Sequence, residues 1–169
     1  VTFDHDTGLY NVEGSLVAWL QVQLTTNRPP LITTVRLNLN APEQVINPPE
    51  WSVHFLGYTE SDQTYTGGQV GDSLKGNIVY GLMEVNCWVS RQDTNWRAQL
   101  NQMMDAVTKA VKSTTAVIVR DFYASSSAPP TLNYRIVLDG AEIRNPPVDP
   151  NPDIERRRVL IRFFWVERA

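Results

Sequence analysis

The stretch Asn77-Ile78-Val79-Tyr80-Gly81-Leu82-Met83-Glu84-Val85-Asn86-Cys87-Trp88-Val89-Ser90, with the residues that follow it, decides the fold class. Val79, Met83, Val85, Cys87 and Val89 share one parity, and Tyr80, Glu84, Asn86 and Trp88 share the other. That period of two predicts one long strand. The period then changes. Trp96, Leu100, Met103, Met104, Val107 and Val111 recur every three or four residues, the stripe of an amphipathic helix running to about Lys112 from a cap on Asp93 or Thr94. A strand handing over to a helix of this kind predicts a sheet with a helix laid across it.

Upstream, Val12, Leu16, Leu20 and Leu24 recur at four-residue spacing. They predict a first helix from Asn11, read as its N-cap, to about Thr25, and Asn27-Arg28-Pro29-Pro30 stops it. Alternation in Val35, Leu37 and Leu39 predicts a strand from Thr33 to Asn40, and Trp51, Val53 and Phe55 predict another beyond the Pro48-Pro49 connector. Residues 57–76 are polar and aperiodic, and are expected to form a long loop. Downstream, strands are expected over Thr115–Phe122, Thr131–Leu138 and Arg157–Glu167, with a Pro-rich linker at 145–152 before the last. The expectation is a single α+β domain over residues 1–169, with two helices packed against a mainly antiparallel β-sheet.

With 42% hydrophobic residues, five Trp, six Tyr and five Phe, the 169-residue chain has material for a real core. No apolar run approaches the roughly 20 residues that span a bilayer, so no membrane partner is expected. The acidic start, Val1-Thr2-Phe3-Asp4-His5-Asp6, lacks the basic and apolar regions of a signal peptide. Cys87 is the only cysteine, which excludes an internal disulfide and a thiolate metal cluster and fits a reducing compartment. The net charge of −3 argues against a strongly basic nucleic-acid-binding module. That charge is uneven. Residues 1–84 carry three Lys/Arg against nine Asp/Glu, and residues 85–169 carry twelve against nine, giving −6 and +3.

Sequence blocks that suggest chemistry lack their partners. Gly71-Asp72-Ser73-Leu74 matches the serine block of a lipase and esterase family, yet no His follows His54 to serve as base. Gly71 and Gly76 have the spacing of a phosphate-cradling loop, but Asn77-Ile78 stands where Lys and Ser/Thr are needed. Gly67-Gly68-Gln69-Val70-Gly71 lacks the dinucleotide spacing. Asp4-His5-Asp6 has no second cluster with which to close a metal site. No catalytic residue, cofactor or metal is therefore expected. The alternatives kept open are a hydrolase centred on Ser73 and a ligand-binding module using Trp51 and Tyr58.

The strongest charge run is Glu155-Arg156-Arg157-Arg158. Arg156, Arg157, Arg158 and Arg162, with Asp72 on the acidic side, are the candidate interface residues, and Arg168 extends the basic run. Against that reading, a basic run ahead of an apolar strand also acts as a gatekeeper against edge aggregation. Because the run precedes the apolar part of the last strand, replacing all three arginines by Glu is expected to spare the core.

The helix Gly14-Ser15-Leu16-Val17-Ala18-Trp19-Leu20, the strand Leu82–Ser90 with the helix Trp96–Lys112, and the closing strand Arg158–Trp165 together resemble the tail terminator (tail completion) proteins of long-tailed bacteriophages. The resemblance is one of pattern over most of the chain, since that family shares no invariant motif. It implies a structural virion protein that forms a ring, usually hexameric, caps the tail tube and offers a surface for head–tail joining. The implied partners are further copies of the chain, the tail-tube protein and the head–tail connector, with DNA passing through the ring without specific binding. The implied location is the virion, after assembly in the host cytoplasm. A head-closure protein, a tail-tube subunit and a baseplate adaptor remain alternatives of the same class.

Overall fold

The computed structural model describes residues 8–39, 47–66, 75–145 and 151–168. Helix α1 spans Leu9–Thr26, and α2 spans Trp96–Ser113. Six strands, β1 (Leu37–Asn38), β2 (Glu50–Thr66), β3 (Lys75–Ser90), β4 (Ala116–Arg120), β5 (Thr131–Arg144) and β6 (Ile154–Arg168), form one curled sheet in the order β1-β2-β3-β6-β5-β4.

The fold is broadly α+β, but the expectation of a mainly antiparallel sheet is corrected. The sheet is mixed, because β1 runs parallel to β2, pairing Leu37 with Trp51 and Asn38 with Ser52. A hairpin would have made the two antiparallel. β1 ends at Asn38 and β2 begins at Glu50, and the two run in the same direction. Among the described residues, the expected strand from Thr33 to Asn40 shrinks to Leu37 and Asn38. One further backbone bond, Trp51 N–H to the Arg36 carbonyl at 2.9 Å, continues the ladder.

The larger correction concerns residues 57–76. Residues 57–66 belong to β2 and residues 75–76 to β3, and the two strands pair from Glu50/Trp88 to Thr66/Lys75. Residues 67–74 lie outside the described part of the chain. The alternation that normally betrays a strand is interrupted here by register shifts between Phe55 and Gly57 and between Glu60 and Thr64. The first inserts one extra residue in β2, which moves the side chains that follow it to the opposite face; the second inserts two.

Both helices lie on one face of the sheet. Val12, Leu16, Leu20 and Leu24 of α1 are fully buried, as are Met103 and Val107 of α2. They meet Trp51, Met83, Val85, Cys87, Val89, Val159, Ile161 and Trp165 in one core. Polar groups of α1 secure the chain around β4. Ser15 Oγ accepts from the Arg120 amide at 2.9 Å, and Asn11 Oδ1 accepts from the Phe122 amide at 2.8 Å. Asn11 is therefore not the N-cap. Gly8 holds that position, and Asn95, rather than Asp93 or Thr94, precedes α2.

The centre of the sheet is also buried on its opposite face. Ser52, Asn86, Trp88 and Leu160 are inaccessible or nearly so, as are Glu50 and Glu84. Burial on both faces leaves Glu84, Asn86 and Trp88 as enclosed as the helix-side residues Met83, Val85, Cys87 and Val89 between which they alternate.

Candidate functional site

Strand alternation divides the arginine run. Val85 pairs with Val159 and Cys87 with Arg157, so Arg157 shares the helix-side face with the core residues of β3. Arg156, Arg158 and Arg162 point to the opposite face. The structure therefore does not gather Arg156, Arg157 and Arg158 into one cluster.

On the opposite face the guanidinium of Arg156 lies 4.8 Å from the centre of the Trp88 ring, a cation–π contact over an otherwise buried indole. The indole N–H of Trp88 donates to Ser52 Oγ at 2.9 Å. Arg158 donates to Glu84 Oε2 at 3.3 Å, and that carboxylate is only 5% exposed. A Glu at position 158 would place a second negative charge beside this buried one, so substitution there reaches the interior. Arg162 is exposed and contributes to the field at Glu142. The Glu142 carboxyl is held below the usual carboxylate range, first by a hydrogen bond from Arg144 and then by the Arg144 charge, which together outweigh the opposing effect of burial, with a lesser contribution from Arg162.

On the helix side, Arg157 and Arg91 both bind Glu155. Arg91 Nε donates to Glu155 Oε2 at 2.9 Å, and Arg157 Nη1 donates to Oε1. Burial would raise the Glu155 carboxyl, but the bonds and charges of Arg91 and Arg157 outweigh it and hold the group below its ordinary value. Beside this trio, Arg91 and Arg97 approach the Trp96 ring at 5.7 and 5.1 Å. A cavity of about 420 Å³ opens between them, lined by Arg91, Trp96, Arg97, Leu100, Glu155 and Arg157, among others.

The sequence reading missed Arg91, Trp96 and Arg97 as members of this group. The available signal was two arginines flanking a tryptophan at the strand–helix junction, but only the pairing of Val89 with Glu155 brings β6 to that junction. Asp72 and Ser73 lie outside the described residues, as do Asp4, His5, Asp6 and residues 146–150 of the expected linker.

Trp51 and Tyr58 do not share a binding surface. Trp51 is fully buried, and its indole N–H donates to the Met103 carbonyl at 3.4 Å. Tyr58 donates to Glu13 Oε1 at 2.5 Å, tying β2 to α1. Burial, and then the adjacent Glu13 carboxylate, push the phenol far above its ordinary range. Tyr58 lines a groove of about 410 Å³ with Leu56, Tyr80, Leu82, Asp139 and Arg162, which Trp51 does not reach.

The two margins of the sheet differ. Beyond Ser52, no strand among the described residues pairs with the outer side of β2 as far as Thr66. At the other margin β4 covers β5 only over Thr131–Val137, and among the described residues Leu138–Arg144 have β6 on one side and no strand on the other.

No protein-family model and no curated protein matches the chain. Among solved structures it is similar to a chain in the virion of a native gene transfer agent particle, with 16% identity and a TM-score of 0.42 over 95% of this chain and 99% of that one. Likeness at that level assigns no function.

Proposed function

We propose that this chain is a structural subunit of a phage-like virion, and that it forms the ring that terminates the tail tube and receives the head. The observation that carries the reading is the pair of unlike open margins on one sheet, the outer side of β2 at one end and Leu138–Arg144 of β5 at the other. An unpaired margin exposes a row of backbone donors and acceptors that another strand can satisfy. Two different margins meeting head to tail make a heterologous contact, which closes into a ring when the rotation between subunits allows. The terminator role within this class is supported by the resemblance of α1, the β3–α2 unit and β6 to the tail terminator pattern.

The test is hydrogen exchange on the purified chain, with its mass measured in parallel. Closed rings should form, and the amides of β2 beyond Ser52 and of β5 from Leu138 to Arg144 should gain protection on assembly. A monomer at every concentration, alone or with tail tubes, would remove the ring reading. Particles assembled without the chain should carry tails of uncontrolled length and unjoined heads. Normal tails in its absence would remove the terminator role.

A further inference from the structure

We infer that the pocket between the start of α2 and the start of β6 is a docking site for a carboxylate-bearing segment of a partner protein. Three guanidinium groups, those of Arg91, Arg97 and Arg157, line it against the single carboxylate of Glu155. That carboxylate already shows what the site accepts, because Arg91 donates to one of its oxygens and Arg157 to the other. Arg97 is the surplus. It is exposed, and its contact among the described residues is the face of Trp96 at 5.1 Å. A guanidinium held over an indole by a cation–π contact spends no N–H donor on it, so its donors remain for a carboxylate.

The rest of the wall selects for protein over nucleic acid. Trp96, Leu100 and Met104 give the pocket an apolar side that the methylene groups of a Glu or a neighbouring apolar residue can cover. A duplex presents its phosphates outermost, with no side chain beside them to cover that wall. The pocket sits where β3 ends and β6 begins, away from the outer margins of β2 and β5, so a subunit joined through those margins keeps it free. The inference goes beyond the ring reading by assigning a second surface to a different partner.

The experiment titrates the full chain with an oligoglutamate peptide, an oligoglutamine peptide of equal length and a duplex oligonucleotide, following binding by calorimetry and the Trp96 indole signal by NMR. Oligoglutamate should bind at low salt and shift Trp96, and oligoglutamine should not bind. Arg97→Glu should weaken oligoglutamate about tenfold or more, and Arg97→Gln should weaken it less. The paired substitution Lys109→Glu with Lys112→Glu, at the far end of α2, should change binding less than about twofold if attraction is local. Unchanged affinity in Arg97→Glu overturns the inference, as does absent oligoglutamate binding. Tighter, Arg97-dependent binding of the duplex overturns it too and assigns the pocket to phosphate. These readouts do not depend on ring formation. A monomer that binds oligoglutamate through Arg97 removes the ring and keeps the docking site, and a ring indifferent to oligoglutamate does the reverse.

Discussion

Gly81 tests the packing of the sheet most directly. It lies in the middle of β3, paired with Tyr58 on one side and Phe163 on the other. A Cβ built at this position would fall 2.4 Å from both Cε2 and Cζ of Phe163. Carbon atoms in contact sit about 3.5–4.0 Å apart, so Gly81→Ala demands a displacement of more than about 1 Å. The phenyl ring has little room to give. Its centre is 6.0 Å from that of Trp165 in a stacked pair, and 6.5 and 6.2 Å from those of Phe55 and Tyr58 in edge-to-face pairs.

Overpacking a close-packed site costs about 1–3 kcal/mol, and the crowding on three sides points to the upper half of that range. For a chain of this size, about 2–3 kcal/mol lowers the melting temperature by roughly 4–12 °C. Urea denaturation of Gly81→Ala, Phe163→Leu and the double variant gives the test. Because the shorter Leu removes the clash, the double variant should be at least about 1 kcal/mol more stable than additivity predicts. A cost for Gly81→Ala below about 0.5 kcal/mol, or strict additivity in the cycle, would refute the reasoning.

Arg158→Met leaves Glu84 buried and unpaired and should cost about 2–3 kcal/mol in denaturant titration, less than a fully buried pair because Arg158 keeps some solvent contact; Arg158→Met combined with Glu84→Gln should recover most of the loss. A cost for Arg158→Met no greater than that of the double variant would count against an intramolecular role for Arg158. The Glu155 carboxyl has a folded pKa below its ordinary value of 4.5, so its contribution to stability is present above that value and is lost as pH falls through the depressed folded value. Glu155→Gln should therefore flatten the acid limb of the stability–pH curve, and an unchanged limb would show that Arg91 and Arg157 do not hold the carboxylate in solution. Burial pushes the Cys87 thiol well above its ordinary range, so iodoacetamide should label it only in denaturant; rapid labelling of the native chain would contradict its place in the core.

The residues by themselves determined the elements whose side chains repeat regularly. The four-residue spacing of Val12, Leu16, Leu20 and Leu24 and the stripe of α2 were legible because a helix on a sheet buries one continuous face. The centre of β3 was legible in a period of two, and the apolar part of β6 as a short continuous apolar run. What the sequence could not show depended on partners distant along the chain. The far half of β2 is a strand because β3 pairs with its backbone, and bulges had erased the alternation that would have revealed it. The direction of β1 relative to β2 is set by their pairing, which the local residues do not encode. The three consecutive arginines read as one patch, yet a strand turns neighbouring side chains to opposite faces. Tertiary pairing then gave Arg156 to Trp88, Arg158 to Glu84, and Arg157 to a pocket shared with Arg91, Trp96 and Arg97.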